Sequence, residues 1–259
     1  MKTILRLLAA AAAAAVLGVN PAYAVIGGSP DGNAHPYVGM SVFRESDGTQ
    51  EQCSGFLVSA RVYVTAGHCA GMEFPGGPAP TLAGVWFGTG PITHTTPPDV
   101  LGIPVPSPDW NGALPDHDIG VVILQKPMPG PYATLPQLGY LDRLTTRRGT
   151  QDVSFTVVGY GVVDISPAGP VPLFTRMAGT VQLEKLTDID LLTTAAPGNG
   201  TGGGATCLGD SGGAVFNGGY VVALVSGGLK LCNGKAADFR LDTAEAQDFI
   251  NGFVDATSS

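Results

Sequence analysis

Apolar residues in this chain come in short, β-branched bursts rather than at helical spacing. Gly55-Phe56-Leu57-Val58, Val62-Tyr63-Val64, Ile119 to Leu124, Phe155 to Val158 and Tyr220 to Val225 are each bounded by turn-forming residues. Many such runs at close spacing predict strands of an all-β barrel or sandwich. The stretch from Pro75 to Pro108 holds nine prolines. It is expected to be mostly loop, because proline cannot donate to a sheet ladder. One helix closes the chain, over about 242–254. Asp242 with Glu245 resembles a capping box, and Ala246, Phe249, Ile250 and Phe253 fall at i, i+3, i+4 and i+7. That single apolar stripe predicts a helix packed on the body as structure.

The N-terminal pattern is of another kind. Lys2 and Arg6 precede an apolar run from Leu7 to Gly18, then Asn20-Pro21 and small residues at Ala22 and Ala24. This reads as a secretory signal peptide over residues 1–24, with cleavage after Ala24. The apolar run is too short to span a bilayer as a helix. A product cut there begins Val25-Ile26-Gly27-Gly28, is secreted or periplasmic, and has no membrane contact after cleavage. Losing the leader's two cations takes the net charge from −8 to −10. An acidic surface of that size argues against nucleic acid as a partner.

Four cysteines follow the leader: Cys53, Cys69, Cys207 and Cys232. An even count in an exported chain suggests two disulfides, with three possible pairings. Spacing favours the neighbours, Cys53–Cys69 and Cys207–Cys232. No C-x-x-C occurs, so no metal site is expected, and no cofactor motif is present.

"CLGDSGGA", residues 207–214, carries the strongest chemical signal. Ser211 sits among glycines that let backbone approach a substrate closely. Its hydroxyl becomes a nucleophile only when a base takes its proton. The N–H groups of Gly209 and Ser211 could together face a developing oxyanion. The same letters satisfy G-x-S-x-G, but that fold needs a histidine after the serine. All four histidines, His35, His68, His94 and His117, precede Ser211, so an α/β-hydrolase is excluded. "VTAGHCA" offers His68 as the base, beside Cys69. "DHDIGVVIL" offers Asp118 at the head of an apolar strand, where a carboxylate needs a partner such as an imidazole N–H. Asp116 and His117 read as solvated loop residues.

The order His68, Asp118, Ser211 resembles the trypsin- and chymotrypsin-like serine proteases. The resemblance runs from Val25 to the final helix through "VIGG", "CSGFLVSARVYVTAGHC", "DIGVVIL", "VVGYG", "GDSGG" and "VSGG". It implies two antiparallel six-stranded β-barrels, one over about 25–140 and the second over about 141–241, with the site between them. It also implies His68 as general base, Asp118 as its orienter, Ser211 as nucleophile, and an oxyanion hole from Gly209 and Ser211. Ser226 would sit beside Asp118, while Gly227 and Gly228 would offer backbone to a substrate strand. The new N-terminus at Val25 would fold inward and pair with Asp210.

The chain departs from the family pattern at Ala214, at Gly227 and in lacking one second-barrel disulfide. The resemblance aligns Ala205 with the floor of the primary specificity pocket, with Gly228 and Ala237 on its walls. A neutral floor predicts cleavage after apolar or aromatic residues. Partners are then protein or peptide substrates and protein inhibitors, acting on a monomer. A catalytically silent binding protein and an esterase are the alternative readings.

Overall fold

The computed structural model describes residues 25–72, 76–93, 95–144, 153–195, 204–228, 232 and 234–257. The expected leader lies outside them. The elements in order are β1 Ser29–Pro30, β2 Val38–Glu45, β3 Gln50–Leu57, β4 Val62–Thr65, the one-turn helix α1 Gly67–Ala70, β5 Pro80–Trp86, β6 Val100–Pro106 and β7 Gly120–Leu124. There follow β8 Ser154–Gly159, β9 Val162–Ser166, β10 Gly169–Pro172, β11 Met177–Leu186, β12 Asp190–Ala195, β13 Ala214–Asn217, β14 Tyr220–Gly228, β15 Gly234–Arg240 and α2 Ala244–Thr257.

Strands β2-β3-β4-β7-β6-β5 close into a six-stranded antiparallel barrel. Strands β11-β12-β15-β14-β13-β8 form the second, closed by pairing of β8 with β11, and β1 is added outside β11. Closure leaves few free sheet edges. Each barrel fills its interior with apolar side chains: Phe43, Phe56, Val64, Val85 and Val121 in the first, and Phe155, Val157, Val181, Leu191 and Val215 in the second. Helix α2 lays Ala246 and Ile250, both fully buried, against the first cluster, with Phe249 and Phe253 beside them.

The proline-rich stretch is mostly loop, as expected, but it also contains β5 and β6, and the expected start of the helix needs correction. Pro80 opens β5, and Pro104 and Pro106 lie where β6 pairs with β7 alone, beyond the last β5 partner at Gly102. One flank of the strand there needs no donor, so proline does no harm. The helix begins at Ala244, and Thr243 supplies its cap through a hydroxyl that accepts from the Ala246 N–H at 3.3 Å. Asp242 is committed elsewhere: it pairs with Arg240 at 2.9 Å and accepts from the Leu141 N–H at 2.7 Å.

The barrels are tied by a charge with no contact with water. Arg176, completely buried, donates from Nε to Asp31 at 2.9 Å and from Nη2 to Asn33 at 2.6 Å. Its Nη1 donates to the carbonyls of Val38 and Phe87, at 2.9 and 3.1 Å, on the first barrel. Burial works against the charge on Asp31, but hydrogen bonds from His35 and Arg176 outweigh it and hold the carboxyl below the usual range. Breaking such a buried pair from one side strands the other charge. Arg176→Met is therefore expected to cost about 3–5 kcal/mol. The check is a lower urea midpoint with an unchanged denaturant slope.

Candidate active site

Antiparallel register brings the chemical groups to one end of each barrel. The β4–β7 ladder runs from Val62↔Ile123 to Thr65↔Gly120. His68 thus lies just past the end of β4, and Asp118 just before the start of β7, side by side. In the second barrel Ala214 pairs with Leu224. Ser211 then lies just ahead of β13 and Ser226 just beyond that pair on β14, again at a shared end.

Asp118 is fully buried, so every lone pair it keeps must be met by a donor. His68 gives two: its backbone N–H donates to Oδ1 at 2.7 Å, and Nδ1 lies 2.9 Å from Oδ2 and 3.1 Å from Oδ1. The Ser226 hydroxyl donates to Oδ2 from the second barrel. With Nδ1 bonded to a carboxylate it carries the proton, which leaves Nε2 as the basic nitrogen. A Cβ on Gly67 would press on the backbone of Ile119 and on Asp118 Oδ1, so no larger residue fits there. The Trp110 ring lies 6.4 Å from the imidazole, centre to centre, and covers one side of it.

The turn carrying Ser211 is gripped by the first barrel. The Ser54 N–H donates to the Ser211 carbonyl at 2.8 Å, and the Ser54 hydroxyl donates to the Gly209 carbonyl at 2.8 Å. Thr65 in turn donates to the Ser54 carbonyl. Gly209 and Gly212 adopt φ of +90° and +77°, backbone that side-chain-bearing residues rarely take. Among the described residues no acceptor engages the N–H of Gly209 or of Ser211. Ser54 was not singled out from the sequence; it stands in the quoted run "CSGF", and only the three-dimensional pairing shows its role.

His68, Gly209, Ser211, Ser226, Gly227 and Gly228 all line one cavity of about 490 Å³ between the barrels. Leu114 reaches over Gly227, where a tryptophan is frequent in the resembled family, and forms an apolar wall there. Ala205 is not among the lining residues. It is fully buried and bridges Ile26 through paired backbone bonds. Ala237 is half-buried on β15, in register with Gly227. Both disulfides, Cys53–Cys69 and Cys207–Cys232, are formed as the spacing suggested. The first fixes the backbone beside His68, and the second spans one side of the cavity.

Asp210 is buried against glycines. It accepts from the N–H of Gly161 at 2.8 Å and of Cys207 at 3.0 Å. Any Cβ at Gly159 or Gly161 would collide with its carboxylate. Burial pushes its carboxyl up to about 7, against the two backbone bonds that lower it. Val25 is also fully buried, packed against Gly179 and Gly204.

Of the two loop residues, Asp116 is exposed as expected. His117 is pinned, its Nδ1 2.6 Å from Glu245 in the first turn of α2. This raises its pKa, chiefly through that hydrogen bond. These two and Asp109 place one metal-ligating atom each within 4.8 Å of one another, at the surface. Near His68, the cluster of Glu51, Cys53 and Cys69 offers no thiolate, because both sulfurs are in the disulfide.

Known proteins share this arrangement of strands. A solved structure described as HL collagenase superposes with a TM-score of 0.69 at 15% identity, covering 89% of this chain and 98% of its own. One described as GrC gives 0.63 at 19% identity, covering 91% and 100%. At these identities the likeness is one of fold. No curated protein matches the sequence significantly. The family model described as Trypsin matches residues 25–250, nearly the whole described structure, and on that match the chain belongs to the trypsin family.

Proposed function

We propose that the protein is a secreted serine endopeptidase working through an acyl-enzyme. The observation that supports it best is the desolvated Asp118 carboxylate, clamped by His68 from one barrel and Ser226 from the other, on the cavity that Ser211 also lines. Asp118 holds the imidazole with Nε2 free to take the Ser211 proton as Oγ attacks the scissile carbonyl. The unengaged N–H groups of Gly209 and Ser211 stabilise the oxyanion. His68 then passes its proton to the leaving amine, and water repeats the sequence on the ester. Gly227 and Gly228 end β14 without side chains, which favours an extended substrate pairing along that edge.

The same reading gives Asp210 its partner. Cleavage after Ala24 exposes an ammonium at Val25, and pairing with Asp210 would hold the oxyanion turn in place. Export and activation are then one event. Disulfides fit an extracellular protein, and no helix among the described residues is long and apolar enough to cross a membrane.

Ser211→Ala is expected to lower kcat by on the order of 10⁶ while the protein is still secreted and folded. Peptide hydrolysis by the purified variant checks this, and a fluorophosphonate should label wild type alone. More than a few per cent residual activity refutes the nucleophile assignment.

A second expected outcome concerns pH. With the N-terminus extended by two residues before Val25, Asp210 has no cation. Its carboxyl then stays protonated in the folded state up to about 7, while the unfolded chain ionises at ordinary carboxylate values. The unfolded state therefore binds fewer protons, and stability falls as pH rises from about 4 to 7. In the mature protein the ammonium offsets that loss until it titrates above its ordinary range of roughly 7.7–8.0. Thermal melts of both forms from pH 4 to 9 should diverge towards neutrality, and the extended form should be inactive. Parallel melts with full activity in the extended form would refute the pairing.

A further inference from the structure

One group of ligating side chains stands apart from the cavity. Asp109 and His117 lie on the two legs of the loop between β6 and β7, and Glu245 lies in the first turn of α2. The Ser107 N–H donates to the Ile119 carbonyl at 2.8 Å and closes the loop at its base. Both legs are thus held beside the helix, which is itself anchored through the buried Ala246 and Ile250. His117 Nδ1 is 2.6 Å from Glu245 Oε1, and one ligating atom from each of the three residues lies within 4.8 Å of the others. Asp116 adds a further negative charge near the same imidazole. Among the described residues, no lysine or arginine pairs with Asp109, Asp116 or Glu245. Negative charge is gathered around one histidine, and the chain supplies no basic partner for it.

The donor set selects among cations. One imidazole nitrogen with carboxylate oxygens suits zinc and its neighbours in the first transition row. Calcium instead takes about six to eight oxygens, and magnesium keeps most of its waters. Atoms bound to one zinc at about 2.0–2.1 Å sit roughly 3.3 Å apart. The 2.6 Å contact must therefore open slightly, and the third atom must draw in. Small rotations of partly exposed side chains can do both. Their exposure also leaves outward positions on the ion for water.

We propose that Asp109, His117 and Glu245 bind a zinc-class dication at the surface, fastening the loop ahead of Asp118 to α2. The proton on His117 Nδ1 leaves, to Nε2 or to solvent, and the ion takes its place. Between the two loop ligands lie Trp110, whose ring covers one side of the His68 imidazole, and Leu114, which walls the cavity at Gly227. Fastening the legs of the loop steadies both without touching a reacting group. Cysteine spacing could not point to such a site, since its donors are a histidine and two acids far apart in sequence. The site stands whether or not Ser211 is a nucleophile, because nothing in it passes through Ser211.

The test uses the secreted protein carrying Ser211→Ala, so that self-cleavage cannot interfere. Cobalt(II) is titrated by its visible absorption and zinc by calorimetry. One ion should bind per chain, zinc should displace cobalt, and the melting temperature should climb with ion concentration. Amide exchange over residues 107–117 should slow in step with occupancy. His117→Ala should weaken binding by on the order of 100-fold or more, since even losing a ligand's outer-shell partner costs about 10–100-fold. Asp109→Asn and Glu245→Gln should weaken it as well, and they carry the test if His117→Ala fails to fold. His68→Ala should leave binding in place. No saturable binding, binding that survives these three substitutions at the site, or binding without slower exchange in the loop overturns the proposal. Loss of the ion with His68→Ala alone places it in the cavity and overturns the proposal too. Failure of the unsubstituted protein to cleave any peptide counts against the peptidase reading only.

Discussion

A carboxylate removed from water must find donors wherever the chain can bring them, and at Asp118 they come from both barrels. Backbone and ring of His68 approach from the turn after β4, and Ser226 approaches from β14. The distances follow from ladder register on each side, since Thr65↔Gly120 and Ala214↔Leu224 set which residues share an end. Moving either ladder by one residue would turn those side chains to the opposite face. The site is therefore held by the sheets, and the loops supply only the final turn.

A second desolvated charge serves architecture. Arg176 reaches from the second barrel's approach to β11 into carbonyls of β2 and the end of β5, and binds the N-terminal arm through Asp31 and Asn33. Ser54 does the same with neutral groups, joining β3 to the turn that carries Ser211. These contacts fix the cleft from several directions. A cavity between two closed barrels would otherwise widen with any small rotation of one against the other.

Much of this was legible from local signals. Short β-branched runs mark the strands that fill the two interiors, and cysteines close together in sequence are bonded in the fold. "TAGHC" and "GDSGG" lie beside those strands and meet at one cavity, with the aspartate of "DIGVVIL" bonded to His68 behind it. What was missed depended on pairing. Proline hid β5 and β6 because its harm depends on which strand flank is in use. Asp242 matched a capping pattern, but Arg240 two residues before it had the stronger claim. Ala205 was placed by counting back from Ser211, and its backbone bridge to Ile26 could be seen only in three dimensions.

The clamp on Asp118 draws its ligands from two bodies that each have a core of their own. The first barrel holds the imidazole–carboxylate pair, but the Ser226 hydroxyl and Ser211 reach it only from the second, so the assembled site is a property of their contact. A loosening of that seam too slight to expose either interior would already withdraw Ser226 from Asp118 and Ser211 from His68. Substitutions along the seam could likewise loosen or restore the clamp while leaving both interiors untouched.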